Sequence, residues 1–417
     1  MCYNILSISR ILISWNNRTQ KEKAMKPLDI LSEVEKNRVR ITAIKAMQMK
    51  NTGGQSLIKV ETDAGIFGIG EAGASGPMVR AQLRNMEPLL IGKDPLDIQV
   101  LFDRMINLMH PYRANIPTIS GVDIALWDIA GKILNRPISK LLSGRFRDEV
   151  PLYINTGTNM LDKSACKDWA QRLRESPEGW HTVKFGFEGV LNHKSPKREL
   201  YPGRPSQMMT ATELNLIRQG FENCREALGN DIDFIVHCHN EWDLPSAIGL
   251  AQAVAPSNPL WIEDAMPVTY NDSWKALKHA SPVRIETGEK LELAREFLPF
   301  IVNEAIDVIQ PDIVFAGGFT GCQKIADLAG LYYIPLTTHN VGSLVHNIAT
   351  IHFGASTRNF VMTETRISQL KLIHEMGQEE INVQNGKIKV PDGPGLGITL
   401  IEDVLKANME NGEPYWD

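Results

Sequence analysis

Between residues 150 and 364 the chain repeats one unit: a short apolar run that closes on a polar residue, followed by a stretch with helical spacing. The runs are "VPLYINTG", "HTVKFGF", "DFIVHCH", "LWIED", "VRIETGE", "DVIQPD", "IPLTTH" and "NFVMTE". Strands that alternate with helices form a parallel sheet, because the crossover helix must carry the chain back before the next strand starts. Eight such units in roughly 220 residues fit a closed (β/α)8 barrel, in which functional groups gather where the strands end. The repeat therefore sets an α/β fold class, a TIM-like barrel, and the places where chemistry is to be sought.

The stretch ahead of the repeat has another character. "VRITAIKAMQMK", "QSLIKVETD" and "GIFGIGEAG" read as strands joined by Gly-rich and Asp-Ala-Gly turns, an antiparallel meander. Helical spacing follows from about residue 77 to 135. The expected organisation is an α+β capping domain over residues 37–148, the barrel over 149–384, and a C-terminal segment, 385–417, that returns to close the cap. Residues 1–36 are expected to be a poorly ordered or partly helical extension, or a translation-start artefact ahead of Met25. Gly68, Gly70 and Gly73 spell G-x-G-x-x-G. A dinucleotide fingerprint, however, requires a βαβ unit with an acidic residue closing its second strand. Here the glycines end a hairpin, so tight backbone packing is their expected role.

Charge and composition exclude several roles. A formal net charge of -5 offers no basic footprint for nucleic acid. "ILSISRILISW" is short and broken by Arg10, so it cannot span a bilayer, and it lacks the basic flank and cleavage site of a secretory leader. The cysteines (Cys2, Cys166, Cys224, Cys238, Cys322) form no C-x-x-C pair, which argues against a zinc knuckle or disulfide framework and for a reducing, cytoplasmic setting.

At the strand ends stand Lys184, His237 and His239, Glu263 and Asp264, Glu289, Asp312, His339 and Glu364. One strand-end carboxylate is an ordinary cap, but seven strands ending this way make a constellation. His237, Glu263 and Glu289 follow one another at intervals of 26 residues. Each unit thus offers one ligand-type side chain, and three from adjacent strands can meet at one divalent cation. The two carboxylates are hard donors suited to Mg2+. A neutral imidazole lowers the site's negative charge and admits Mn2+ or another nitrogen-tolerant divalent cation. Asp312 and His339 end neighbouring strands. A carboxylate that accepts the Nδ1 proton fixes the imidazole tautomer and leaves Nε2 as a general base. Glu364, on the last strand, is placed to hydrogen-bond a substrate oxygen that gains charge.

These residues resemble the enolase superfamily, and within it the mandelate racemase/muconate lactonizing enzyme subgroup, from about residue 39 to 400. "SGVDIALWDIAGKILNRPISKLLSG" is similar to the subgroup's signature helix, and "LWIEDAMP", "IETGEKL", "IQPDIVFAGGFTG", "PLTTHN" and "DGPGLGI" to its later motifs. The resemblance implies metal-assisted removal of the proton α to a carboxylate, giving an enediolate. Lys184 matches the first lysine of a K-x-K motif on the second barrel strand, but Gly186 stands at the second, so racemisation with a base on each face is disfavoured. In the subgroup's acid-sugar dehydratases the third strand carries D-x-H, the Asp binding metal and the His protonating the departing hydroxyl. "HCHNEWDLP" matches at His239, the implied general acid, and has His237 in place of the Asp.

The expected function is that of an aldonate-type dehydratase, a hydro-lyase. His339 takes the α-proton, His239 protonates the β-hydroxyl, and a 2-keto-3-deoxy acid results. A cycloisomerase or epimerase using the same enediolate, and a sugar-acid-binding protein without turnover, remain alternatives. So do three states of the cation site: ligation by His237, a shell completed by water or Glu241, or no metal. Substrate contacts are expected from Tyr112 and Arg113 in "HPYRANIP", from Glu241, and from Arg204 in the basic insertion after the second strand. The expected partners are a small-molecule acid sugar and further copies of the chain in a homo-oligomer.

Overall fold

The structure, a computed structural model, describes residues 38–108, 115–194 and 208–416. It opens on an antiparallel meander of β1 (Ile41–Gln48), β2 (Ser56–Thr62) and β3 (Phe67–Ala72), with Ile44 opposite Val60 and Ile58 opposite Gly70. The helices α1 (Gly76–Leu90), α2 (Ile98–Leu108) and α3 (Ile116–Leu134) follow. α3 begins where the Asn115 side chain accepts the Thr118 N–H, with Pro117 in its first turn, and ends at Asn135 in the left-handed conformation. It is buried on almost every face because the meander covers one side and the barrel the other. β3 lies directly on it. A Cβ at Gly68 would fall 2.0 Å from the Ala125 carbonyl oxygen, and one at Gly70 1.9 Å from that of Gly121. The two glycines are thus a strand–helix contact that admits no side chain.

Eight parallel strands then form the barrel: β4 (Glu149–Asn155), β5 (Thr182–Phe185), β6 (Asp233–Val236), β7 (Ile262–Glu263), β8 (Ile285–Thr287), β9 (Val308–Ile309), β10 (Leu336–Thr338) and β11 (Phe360–Arg366). Each pairs with the next in sequence, and β11 returns to β4 through Thr363 opposite Leu152 and Glu364 opposite Tyr153. The runs marked in the sequence are these strands in the same order. Their outward side chains, Phe185, Phe234 and Ile262 among them, join the main apolar core under the surrounding helices. The inside of the barrel is polar. Lys184, Glu263, Glu286, Gln310, Thr337 and Glu364 are all 0% exposed.

A hairpin of β12 (Val383–Gln384) and β13 (Lys387–Lys389) adds antiparallel to β4. Beyond it the chain returns to the meander and helices. The Leu396 N–H donates to Asp128 of α3 at 2.8 Å, Met409 bridges Met49, and Arg80 donates to Glu413 at 3.0 Å. Asp128 also accepts the Ile69 N–H, so one carboxylate joins β3, α3 and the C-terminal segment. α3 docks on the barrel through two further acceptors: Ser120 Oγ takes the Gly317 N–H and Asp123 takes that of Thr320. Among the described residues no helix is long and apolar enough to cross a membrane. The extension expected over residues 1–36 lies outside the described residues.

Candidate active site

Closure of a parallel sheet brings the C-terminal ends of all its strands to one rim. β6 and β10 stand four strands apart in the ring of eight, so the residues that follow them face each other across the mouth. His339 directly follows β10, and its Nδ1 lies 2.6 Å from Asp312 Oδ2, beyond β9. Asp312 Oδ1 accepts the Val314 N–H, which leaves Oδ2 to take the imidazole proton. His339 Nε2 is then free to face the mouth, 3.6 Å from Glu289 and 3.9 Å from Glu364. Burial disfavours an imidazolium here, but Glu289, Asp312 and Glu364 outweigh it and hold the His339 pKa up at about 9. Burial would raise the Asp312 carboxyl, yet His346 and His339 hold it down at about 2.

A second network starts inside the barrel. Lys184 Nζ donates to both oxygens of Glu263 at 2.8 and 2.9 Å and to Glu364 at 2.8 Å. Burial would strip this lysine of its proton, but Glu263, Glu364 and Glu289 keep it charged. Gln310 donates to the second Glu263 oxygen at 3.0 Å, and Asn155 to Glu364 at 2.8 Å. His237 Nδ1 lies 2.9 Å from the first Glu263 oxygen, and His237 Nε2 lies 2.8 Å from His239 Nε2. Glu263, held ionised by Lys184 and His237 despite its burial, can only accept, so His237 carries its proton on Nδ1. The lone pair on His237 Nε2 therefore accepts the Nε2–H of His239. His239 Nδ1 faces the acids of the rim, 3.6 Å from Glu188 and 3.9 Å from Glu241. The Glu188 carboxylate raises the His239 pKa against partial desolvation, so this imidazole, 44% exposed, tends to hold a second proton on Nδ1.

The structure thus brings Lys184, His237, His239, Glu263, Glu289, Asp312, His339 and Glu364 to one rim and its interior, with Glu241 beside His239. Tyr112, Arg113 and Arg204 lie outside the described residues. Glu188, Gln310, Lys290 and Arg366 were missed in the sequence. Glu188 carried a signal: it stands four residues beyond Lys184, on the same alternation as Gly186. A Cβ at Gly186 would fall 2.3 Å from Glu188 Oε2, so a carboxylate fills the space where the resemblance implied a second lysine. Lys290 Nζ donates to Asn240 at 2.6 Å and lies 3.2 Å from Glu289. Asn240 (φ 61) and Asp264 (φ 49) hold left-handed backbone at adjacent strand ends, joined by the Asn240 N–H to the Asp264 carbonyl. Such conformations in residues other than glycine cluster at functional sites.

Residues 31–143 match the family described as "Mandelate racemase / muconate lactonizing enzyme, N-terminal domain", and residues 167–404 match "Enolase C-terminal domain-like". With the barrel, the cap and these matches together, the chain belongs to the enolase superfamily, in its mandelate racemase/muconate lactonizing enzyme group, and is an enzyme. A D-xylonate dehydratase of Haloferax volcanii is 32% identical to it over 366 residues, 87% of each chain. A D-mannonate dehydratase of Sphingomonas sp. strain SKA58 is 28% identical over 85% of this chain and 90% of its own. A crystal structure of a mandelate racemase/muconate lactonizing enzyme-like protein from Rubrobacter xylanophilus matches with a TM-score of 0.83 at 25% identity, covering 91% of this chain and 100% of that one.

Enzymes of this superfamily generally use a divalent metal. The side chains expected to hold it here, His237, Glu263 and Glu289, do not fit one as they stand. Glu263 accepts two hydrogen bonds on each oxygen, which fills its lone-pair sites. His237 spends one ring nitrogen on Glu263 and the other on His239. Among the described residues no three His, Cys, Asp or Glu side chains are gathered as around an ion. Here His237 and Glu263 lie in a hydrogen-bonded chain that ends on the Lys184 ammonium, while Glu289 stands beside Lys290 and His339.

Proposed function

We propose that the chain is an acid-sugar dehydratase that converts an aldonate-type substrate to a 2-keto-3-deoxy acid. The observation that carries this reading is that an Asp-supported imidazole, His339, and an acid-flanked imidazole, His239, follow strands four apart around one barrel rim. The relatives named as D-xylonate and D-mannonate dehydratases support the reaction class.

In this mechanism neutral His339 Nε2 takes the substrate's α-proton, and the imidazolium so formed is stabilised by Asp312 on Nδ1. The electron pair of the broken C–H bond passes into an enediolate. That pair then forms the carbon–carbon double bond as the β-carbon–oxygen bond breaks. His239 Nδ1–H delivers a proton to the departing oxygen, which leaves as water, and the enol product tautomerises to the ketone. General acid and base steps of this kind each contribute about 10²- to 10⁴-fold. Lys290 and Arg366, with side chains 41% and 39% exposed at the rim, are the cations that receive the substrate carboxylate. Lys184 is fully buried and acts by holding Glu263 and Glu364 in place. An epimerase would require a second base opposite His339, whereas Glu188 raises the His239 pKa and favours its acid form.

A panel of aldonates assayed for 2-keto-3-deoxy product tests the proposal. His239→Asn should impair water loss more than exchange of the α-proton with solvent. Equal loss of both, or no product from any aldonate, would refute it.

A further inference from the structure

We infer that the three positions corresponding to the family's divalent-cation ligands hold no such cation in this chain, and that the Lys184 ammonium is instead the counter-charge of the acids beneath the barrel mouth. A cation binds through oxygens and nitrogens whose lone pairs face it. Both Glu263 oxygens are already covered, by Lys184 on each, His237 on the first and Gln310 on the second. His237 has one nitrogen donating to Glu263 and the other turned to His239 at 2.8 Å. A divalent cation at Glu263 would have to expel the Lys184 ammonium into a barrel interior where Glu364 is its other partner and no water reaches it. A cation at His237 Nε2 would have to displace His239.

The substitution of an imidazole for an acidic ligand and the commitment of the lysine support each other. With one carboxylate fewer around the site, a single ammonium suffices where a family member with three acidic ligands carries a dication. Lys184 reaches across the axis from β5 to side chains of β7 and β11, and it meets the expected cation site at Glu263, whose charge it neutralises. Glu289 keeps an oxygen facing His339 and another beside Lys290, which assigns it to the electrostatics of the base.

Binding, read apart from turnover, decides the matter, so the outcome is separate from that of the dehydratase proposal. The full chain would be expressed in medium containing Mg2+ and Mn2+, purified without chelator and subjected to elemental analysis. It would then be titrated with MgCl2 and MnCl2 alone while its thermal midpoint is followed, since a ligand that binds only the folded state raises that midpoint in proportion to ln(1 + [L]/Kd). The wild-type chain is expected to retain far less than one divalent ion per molecule and to show no saturable rise. His237→Asp, which releases one lone-pair site on Glu263 Oε1 and restores an acidic ligand, is expected to gain a saturable rise with Mn2+. One tightly held ion per wild-type chain, or a saturable rise in the wild type, overturns the inference. A folded His237→Asp chain that gains no binding overturns the assignment of the closure to His237.

Discussion

Replacing Lys184 by methionine tests the interior network where its charge is concentrated. The substitution removes an ammonium that donates to Glu263 and Glu364 while keeping most of the side-chain volume, so the cavity contribution is small. Breaking a buried ion pair by removing one partner costs about 3–5 kcal/mol, because the charge left behind has lost its solvent and its counter-ion. Here two carboxylates are left, although His237 and Gln310 still donate to Glu263 and Asn155 to Glu364. These remaining donors place the expected loss near the middle of the range, about 4 kcal/mol. For a barrel of roughly 240 residues unfolding with ~2.1 cal/mol/K per residue, that lowers the midpoint by about 8 °C. The loss should also depend on pH. Glu263 and Glu364 now titrate below the ordinary carboxylate value, and without the ammonium burial pushes both upward. A carboxyl whose folded pKa exceeds its unfolded value contributes stability below the unfolded value and loses it as pH rises through the folded one. The variant should therefore be weakest near pH 8 and closest to wild type near pH 5. Denaturant unfolding at both values, alongside Lys184→Met/Glu263→Gln, measures this. The double variant should recover part of the loss, since a neutral amide needs no counter-charge. A single variant as stable as wild type at pH 8, or a double variant that loses the sum of both single losses, would refute the reasoning.

Other predictions follow from particular contacts. His339→Asn should abolish exchange of the substrate α-proton in deuterated solvent, followed by NMR; persistent exchange assigns the base elsewhere. Because only neutral imidazole accepts a proton and His339 sits at about 9, kcat/KM should fall about tenfold per pH unit below that value, and Asp312→Asn should move this limb to lower pH; an acid limb near the ordinary histidine value in the wild type would contradict the carboxylate surroundings described. Asp123, pushed up to about 7 chiefly by burial, should make stability decline between about pH 4 and 7, by at most ~4 kcal/mol, and Asp123→Asn should flatten that slope in denaturant titrations. Gly70→Ala should destabilise the chain by about 3 kcal/mol or prevent folding, because the new methyl meets the Gly121 carbonyl and neither backbone can yield; an unchanged thermal midpoint would mean that β3 and α3 are not held as described.

The barrel was legible because its strands are short, buried on both faces and closed by polar residues, so the chain announces each strand end as it passes. Closure then converts positions far apart in sequence into neighbours on one rim, and this is why Asp312 and His339 were readable as a pair before any distance was known. Partnerships across the axis were not readable in that way. Lys184 resembles a substrate-facing lysine, yet it is 0% exposed, because its long stem turns inward from β5 and finds carboxylates of two other strands. No sequence interval encodes that direction. Glu188 was overlooked since it follows the strand proper, although its alternation with Lys184 and Gly186 pointed to the same side. Asp123 and Asp128 carried a different kind of information: acids on a helix otherwise apolar on nearly every face must find partners inside the protein. Both accept backbone N–H groups from segments distant in sequence. The same rule governs Lys184 and His237, because a polar group without water must be answered by its nearest neighbours. His237 is therefore a middle link in a chain running from Glu188 through His239, His237 and Glu263 to Lys184 and Glu364. Altering any member should be felt at the others, at His239 as a change in acid strength and at Lys184 as a change in stability.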